Sequence, residues 1–189
     1  MSTRRALPLV LRTIALSATL GLSLVVMLAL GALGSKAKDK IGKLPKDSLA
    51  RRQVTSLDGR HFSLAALRGQ VVVLDFFALW CSNSRAHLPT LTRFTDEDRG
   101  RGLQIIGLSV QERTTKDQLE QFITDQKIAY PVGFVSDSLF SEYIESRDVS
   151  VPQTLIYGRD GRLLAHFNGH SAQIDAAIAS MVKRELEKK

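Results

Sequence analysis

The sequence has 189 residues, 44% of them hydrophobic, and a formal net charge of +7 at pH 7, which suffices for one globular domain with its own core. Lysines and arginines are spread along the chain and aromatic residues make up only 6%, which argues against a nucleic-acid-binding face. The single cysteine excludes an internal disulfide and argues against a thiolate-rich structural zinc site.

The N-terminus has the pattern of a membrane segment. Three arginines fall within residues 1–12, and residues 13–34 carry no charge. An uncharged run of this length can cross a membrane as a helix, and the arginines before it predict that the remainder of the chain is exported. We expect an uncleaved, single-pass anchor in the inner membrane with the globular part on the periplasmic side. The small residues at 32–34 leave a cleaved signal peptide as the alternative.

The region between the anchor and the central strand is predicted to hold a linker and a hairpin. Residues 35–50 are rich in lysine and glycine without periodicity, which predicts a tether before a domain over 51–189. Within 52–63, the dipeptide Asp58-Gly59 separates two short alternating runs and predicts a β-hairpin. A short helical turn that ends at Gly69 is expected next.

The central element is the apolar run 71–77, interrupted only by Asp75, which predicts a strand buried on both faces. Shortly after it comes the only cysteine, Cys81, and then Ser82-Asn83-Ser84, whose side chains are of the type that accepts the free amides of a starting helix. Cys81 is therefore expected at a helix N-terminus. The unpaired N–H groups and partial positive charge there favour a thiolate, so the sequence predicts an activated nucleophile.

Alternating strands and helices are predicted for the rest of the chain, which implies right-handed crossovers and a mostly parallel α/β sheet. Two helices have apolar faces: Leu119, Phe122 and Ile123 in one, and Ile174, Ala177, Ile178, Met181 and Val182 in the last. The predicted elements are a helix from 84 to about 97 containing Pro89, a strand over 103–110, a helix after a capping box at 114–117, a strand over 130–135, a helix over 138–144, and a hairpin of 154–157 with 163–167.

The stretch from Asp75 to Leu91 resembles the active-site segment of TlpA/ResA-like thioredoxin-fold proteins, which typically contains Trp-Cys-x-x-Cys-Arg-x-x-x-Pro-x-Leu. The residues that match are Trp80, Cys81, Arg85, Pro89 and Leu91. Ser84 stands where the family has its second cysteine. Val151-Pro152-Gln153-Thr154 is similar to the family's Val-Pro-x-Thr segment, whose proline follows a cis peptide bond beside the active-site sulfur. The resemblance implies a thioredoxin fold with an N-terminal β-hairpin extension.

The resemblance also implies roles for individual residues. Cys81 is the predicted catalytic nucleophile, supported by Trp80, Ser84, Asp75 and Pro152. The backbone of Val151, beside Pro152, is predicted to bind an extended peptide substrate. Asp75 is expected to be a buried carboxyl with a raised pKa. In thioredoxins the acid at this position helps to deprotonate the resolving thiol, and the alternative here is a purely structural acid.

Ser84 limits the chemistry, because a hydroxyl cannot resolve a mixed disulfide as a second thiol does. It could still donate a hydrogen bond to the Cys81 thiolate. The first hypothesis is a monothiol oxidoreductase that exchanges with protein or low-molecular-weight thiols and disulfides. The second is a thiol peroxidase, disfavoured because Ala78 stands where peroxiredoxins have Thr or Ser. The third is a non-catalytic module that binds a client protein.

No cofactor, metal site or nucleic-acid partner is expected. A metal at Cys81 would need companion ligands, and the domain offers few histidines, chiefly His87, His166 and His170. His87 follows Cys81 by six residues, about one and two-thirds helical turns, and therefore faces away from it. We expect these histidines to be exposed or partly buried, without a role.

Overall fold

The computed structural model describes residues 40–98, 100–110, 114–146 and 148–188. The residues from Ile41 onward pack as one unit. The predicted anchor over 13–34 lies outside the described residues. Within the described ranges, no helix is long and apolar enough to span a bilayer.

Seven strands and five helices make up the described part of the chain. Strands and helices alternate through its middle, as the sequence predicts. In chain order the elements are α1 (Asp47–Ala50), β1 (Val54–Thr55), β2 (His61–Phe62), β3 (Val71–Phe77), α2 (Ser82–Glu97), β4 (Leu103–Val110), α3 (Lys116–Asp125), β5 (Val132–Val135), α4 (Asp137–Ile144), β6 (Gln153–Tyr157), β7 (Leu163–Asn168) and α5 (Ala172–Glu187).

The main sheet has five strands in the order β5-β4-β3-β6-β7. Strands β4 and β5 continue parallel to β3, whereas β6 pairs antiparallel with both β3 and β7. Strand β6 is therefore the only one of the five that runs in the opposite direction. The central position of β3 explains its unbroken apolar sequence, because every one of its residues is buried.

Alternate residues of β3 enter different cores, because successive side chains of a strand point to opposite faces. Val72, Leu74 and Phe76 pack with α4 and the N-terminal residues. Val71, Val73 and Phe77 pack instead with α2, α3 and α5. Asp75 belongs by its position to the second series, so the alternation directs its carboxyl toward the helices. This placement brings the strand's one polar residue under α2.

The predicted hairpin is confirmed: β1 and β2 pair antiparallel as a separate two-stranded sheet around the Asp58-Gly59 turn. It lies against β5, where Gly133 allows close contact, since a Cβ there would come within 2.2 Å of the Thr55 carbonyl oxygen. Part of the segment predicted as linker is structured. Residues 47–50 form α1, and Leu49 and Ala50 are buried.

Three local expectations are wrong in detail. The capping box lies one residue later than predicted: Thr115 accepts a hydrogen bond from the Gln118 amide, and the Gln118 side chain accepts one from Thr115. The final helix buries Ile178 and Val182, but Ala177 is exposed. Helix α2 begins at Ser82 rather than Ser84. In the first and third cases the spacing pattern located the element but not its terminal residue, and in the second it located the helix but made its buried face too wide.

Candidate active site

Cys81 is the N-cap residue of α2, directly before the first helical turn, with an extended backbone. Its side chain is partly buried, and its sulfur is not in a disulfide. No side chain caps this helix end, so the expectation that the three polar residues after Cys81 accept its amides is wrong. The unpaired N–H groups at a helix start leave positive potential around the sulfur.

The Cys81 thiol donates a hydrogen bond to the backbone carbonyl of Val151, with 3.3 Å between sulfur and oxygen. The peptide bond between Val151 and Pro152 is cis, as the resemblance implies. These two segments are 70 residues apart in the chain and meet because β6 pairs with β3. The predicted nucleophile and the predicted peptide-binding backbone are therefore in direct contact.

Exposed apolar side chains occur in both segments that meet at the cysteine. The side chain of Trp80 is 64% exposed, and Val149, which precedes the cis-proline segment, is also exposed. Together with Cys81 and Val151 they form what we call the mouth of the site. Large apolar side chains rarely remain in solvent without a reason, and adjacent ones mark surfaces that contact other molecules.

A groove of about 760 Å³ extends from the mouth toward α3, with Trp80 as one of its lining residues. Arg85 also lines the groove, and its Nε donates to the Leu79 carbonyl at 2.7 Å. The Arg85 guanidinium also lies 5.9 Å from the ring centre of Phe122. The groove is therefore partly apolar, and both the Arg85 guanidinium and the Asp125 carboxylate line it.

Gln153 organises the loop that carries Val149, a role that the sequence analysis did not assign. Its buried side-chain amide donates to the carbonyls of Asp148 at 2.8 Å and Ser150 at 2.7 Å. Its oxygen lies 2.7 Å from Nε2 of His166. Hydrogen bonds from Ser150, and after them one from Asn168, hold the pKa of Asp148 below its ordinary value. This side of the mouth is thus fixed by the residue between Pro152 and Thr154.

Ser84 is fully buried. In the described part of the chain, its hydroxyl forms no hydrogen bond with the Cys81 sulfur. Its hydroxyl accepts a hydrogen bond from the amide of Ala78, with 3.4 Å between nitrogen and oxygen. The expected hydrogen bond from Ser84 to Cys81 is therefore not present. The helical spacing explains this, because Ser84 shares the inward face of α2 with His87, Leu88 and Leu91.

Asp75 is completely buried, and burial raises the pKa of its carboxyl, although His87 and then Thr154 oppose that effect. Oδ1 accepts a hydrogen bond from the Thr154 hydroxyl at 3.0 Å, whereas Oδ2 has no partner. Thr154 lies directly opposite Asp75 in the β3–β6 pair. The expectation of a buried acid with a raised pKa is confirmed.

His87 contradicts the sequence-based expectation, because its side chain is completely buried. Its Nε2 lies 3.2 Å from the Thr154 hydroxyl and 3.6 Å from Oδ1 of Asp75. Its Nδ1 lies 2.8 Å from Oδ1 of Asp175 in the first turn of α5. We call Asp75, Thr154, His87 and Asp175 the buried network.

The buried network reaches the surface through Asp175, whose side chain is 19% exposed. Oδ2 of Asp175 accepts a hydrogen bond from the Thr90 hydroxyl at 2.8 Å and lies 3.3 Å from Nε2 of His170. The i, i+3, i+4, i+7 spacing of Ser84, His87, Leu88 and Leu91 was the available sequence signal, since it assigns His87 to the buried stripe of α2. Nothing local in the sequence identified Asp175 as its partner.

No group of three or more His, Cys, Asp or Glu side chains able to hold a metal ion occurs in the ranges that the structure describes. The arrangement instead offers one accessible sulfur at a positive helix end, a backbone carbonyl beside it, and a buried acid–base network on the inner face of the same helix. These groups suit nucleophilic chemistry by a thiol.

Comparisons with known proteins agree with this geometry. The chain is 24% identical over 158 residues to the thiol-disulfide oxidoreductase ResA of Bacillus cereus, covering 83% of this chain and 80% of the relative. It is 23% identical over 135 residues to the thioredoxin-like protein YneN of Bacillus subtilis, covering 71% of each.

Solved structures give the same result. A thioredoxin-family thiol:disulfide interchange protein from Chlorobium tepidum superposes with a TM-score of 0.62 at 25% identity, over 71% of this chain and 92% of the other. A protein disulfide isomerase homologue from Bacteroides thetaiotaomicron superposes with a TM-score of 0.68 at 22% identity, over 78% and 91%. These likenesses establish the thioredoxin-like α/β fold. Since the AhpC/TSA family model matches residues 42–166, the chain belongs to the AhpC/TSA family.

Proposed function

We propose that this protein is a thiol–disulfide oxidoreductase that works through the single thiol of Cys81. The observation that carries the proposal is the partly exposed Cys81 sulfur at the start of α2, 3.3 Å from the Val151 carbonyl beside the cis-proline. The curated relative ResA is named a thiol-disulfide oxidoreductase. Thiol–disulfide exchange requires an accessible thiolate, and Cys81 is the one cysteine in the chain.

The reaction begins when the Cys81 thiolate attacks a disulfide R–S–S–R′. A bond forms between the Cys81 sulfur and one sulfur of the substrate, the substrate's S–S bond breaks, and R′S⁻ leaves and takes up a proton. Ser84 cannot complete the exchange, since an oxygen does not form the required disulfide. An external thiol must therefore attack the mixed disulfide. This attack releases the Cys81 thiol and leaves the external thiol in a new disulfide with the substrate group R.

The substrate is a protein or low-molecular-weight disulfide. The Val151 backbone can hydrogen-bond an extended segment that lies across the sulfur. The exposed side chains of Trp80 and Val149 offer apolar contact to that segment. A peptide bound in this way presents its own sulfur to Cys81, whereas a small disulfide uses only part of the mouth.

The proposal includes an extracytoplasmic location on the inner membrane, with residues 13–34 as a single-pass anchor. It is supported by the uncharged length of this segment and by the arginines that precede it. The domain, as proposed, extends over residues 51–189 with a linker over 35–50. Part of that linker is structured, since residues 47–50 form α1.

The test is mass spectrometry of the full-length chain after incubation with oxidised glutathione. We expect one glutathione per chain, attached at Cys81 and removed by excess reduced thiol, and a faster reaction for the native chain than for the urea-unfolded chain. Cys81→Ser is the matched control and should acquire no adduct. A native thiol that reacts more slowly than the unfolded one would overturn the proposal and favour the client-binding module.

A parallel incubation with hydrogen peroxide distinguishes the peroxidase hypothesis. Ala78, three residues before Cys81, is buried and has no hydroxyl to position a peroxide. We therefore expect glutathione adduct formation to exceed peroxide oxidation of Cys81 at equal oxidant concentration. Preferential conversion to the sulfenic acid would assign the protein to peroxide chemistry instead.

A further inference from the structure

Three polar side chains that the sulfur chemistry does not use directly meet in the core, one each from β3, β6 and the inner face of α2. Asp75, Thr154 and His87 are all buried. The Thr154 hydroxyl lies between the other two, 3.0 Å from Oδ1 of Asp75 and 3.2 Å from Nε2 of His87. Buried polar groups must satisfy one another, because no solvent is available to do so.

A hydroxyl donates one hydrogen bond and can accept others. Two arrangements of hydrogen bonds therefore use the Thr154 hydroxyl both as a donor and as an acceptor. In the first, Thr154 donates to an ionised Asp75 and accepts from Nε2–H of His87. In the second, a protonated Asp75 donates to Thr154, and Thr154 donates to an unprotonated Nε2. In both, Nδ1–H of His87 donates to Asp175, 2.8 Å away.

We propose that Asp75, Thr154 and His87 form a proton relay, in which one proton is shared between the Asp75 carboxyl and the His87 imidazole through the Thr154 hydroxyl. Passage from the second arrangement to the first moves the carboxyl proton to Oγ1 of Thr154, while the hydroxyl's own proton moves to Nε2 of His87. Thr154 is neutral before and after the step. No proton needs to enter from solvent.

Asp75 and His87 lie in different environments. Burial and the missing partner of Oδ2 favour a neutral Asp75. Oδ1 of Asp175 lies 2.8 Å from Nδ1 of His87, and the Asp175 carboxylate is suited to the first turn of α5, where the helix dipole supports negative charge. His170 approaches Asp175 from the solvent side at 3.3 Å. The charge of Asp75 also acts on the buried Tyr130, whose pKa is raised mainly by burial.

One end of the relay leads to the surface. Asp175 leads from His87 to His170, whose side chain is 22% exposed, which gives the buried proton a route to solvent. At the other end, Thr154 follows the segment whose Val151 carbonyl accepts from the Cys81 thiol. We infer that the relay holds one exchangeable proton in the core, on the inner side of the active-site helix. It does not depend on which disulfide or other partner reacts with Cys81.

The test is a pH titration of the full-length chain, in detergent, with ¹⁵N in its histidines and ¹³C in its aspartate carboxyls. A shared proton makes the His87 ring and the Asp75 carboxyl report the same two midpoints, because each step belongs to the pair. Thr154→Val keeps the side-chain shape but removes the hydroxyl. We expect it to abolish the common midpoints, and Thr154→Ser to restore them.

Two results would overturn the relay. One is a folded Thr154→Val variant whose His87 and Asp75 curves still share both midpoints, since the coupling would then be electrostatic and independent of the hydroxyl. The other needs no variant: a neutral His87 that carries its hydrogen on Nε2 in the unmodified protein fits neither arrangement. Neither readout involves Cys81 chemistry, so failure of the relay is distinguishable from failure of the proposed sulfur exchange.

Discussion

The mouth lies at the start of α2 and in the segment before β6, whereas the buried network joins residues of α2 and β6 with one residue each from β3 and α5, and the two differ in almost every physical respect. At the mouth, the Cys81 sulfur makes one hydrogen bond and Trp80 is mostly exposed. In the network, His87 is fully buried and bonded to both β6 and α5. A reactive thiol must stay accessible, and therefore contributes little to stability. Buried polar groups are instead satisfied by many partners, and removing one leaves the others unpaired.

The largest change should follow from giving the mouth a second sulfur. Ser84→Cys creates a Cys-x-x-Cys pair, and we expect reduction of insulin disulfides, measured by turbidity with dithiothreitol, to appear where the unmodified chain has none. Two thiols at this spacing can resolve their own mixed disulfide.

The control for this gain is Ser82→Cys, which adds an exposed thiol in the same helical turn without the two-residue spacing. It should give no insulin reduction. A folded Ser84→Cys protein that remains inactive would indicate that the mouth binds clients without exchanging disulfides with them.

In the network, His87→Leu should destabilise the protein by about 3 kcal/mol, because it leaves the Asp175 carboxylate and the Thr154 hydroxyl without their imidazole partner. Urea unfolding followed by circular dichroism measures the loss. His87→Gln retains an amide that can bond to one of the two groups and should lose less. Equal, small losses for both variants would mean that the network contributes little to folding.

The pH dependence of stability should be traceable to Asp75, because burial raises the pKa of its carboxyl in the folded state. The native state then holds this proton more tightly than the unfolded chain. The contribution of the Asp75 carboxyl to the free energy of unfolding is fully present below its pKa in the unfolded chain, about 3.9. This contribution is lost as the pH rises through the pKa in the folded state.

The matched variant is Asp75→Asn, which keeps the side-chain shape and cannot ionise. The urea midpoint of this variant minus that of the unmodified protein should increase as the pH rises from about 4. The difference should then level off. A difference that stays constant over this range would show that Asp75 has the same proton affinity in both states.

The smallest effect on stability is expected at the mouth. Trp80→Ala removes a side chain that is 64% exposed, and should change the free energy of unfolding by less than about 0.5 kcal/mol. The rate of mixed-disulfide formation with a cysteine-containing peptide should nevertheless fall, while the rate with glutathione changes less. A large loss of stability would mean that Trp80 serves the fold rather than the substrate.

Local sequence patterns predicted most of the fold, because they report physical requirements of single elements. The apolar run of β3 requires burial on both faces, and Asp58-Gly59 suits a tight hairpin turn. The motif around Cys81 and the Val151-Pro152 segment also predicted which residues meet across the site, through their resemblance to thioredoxin-fold proteins. The same patterns gave helix ends less accurately, as the shifted capping box at Thr115 illustrates.

The sequence by itself determined that a lone thiol follows a buried strand, that an acid lies within that strand, and that no second sulfur can complete a disulfide. Only the tertiary structure decided that Ser84 faces the core rather than the cysteine, and that His87 connects Asp75 with Asp175. The physical reason is distance along the chain. The hydrogen bond between His87 and Asp175 joins residues 88 positions apart, and such a contact exists only after the sheet and the two helices have packed.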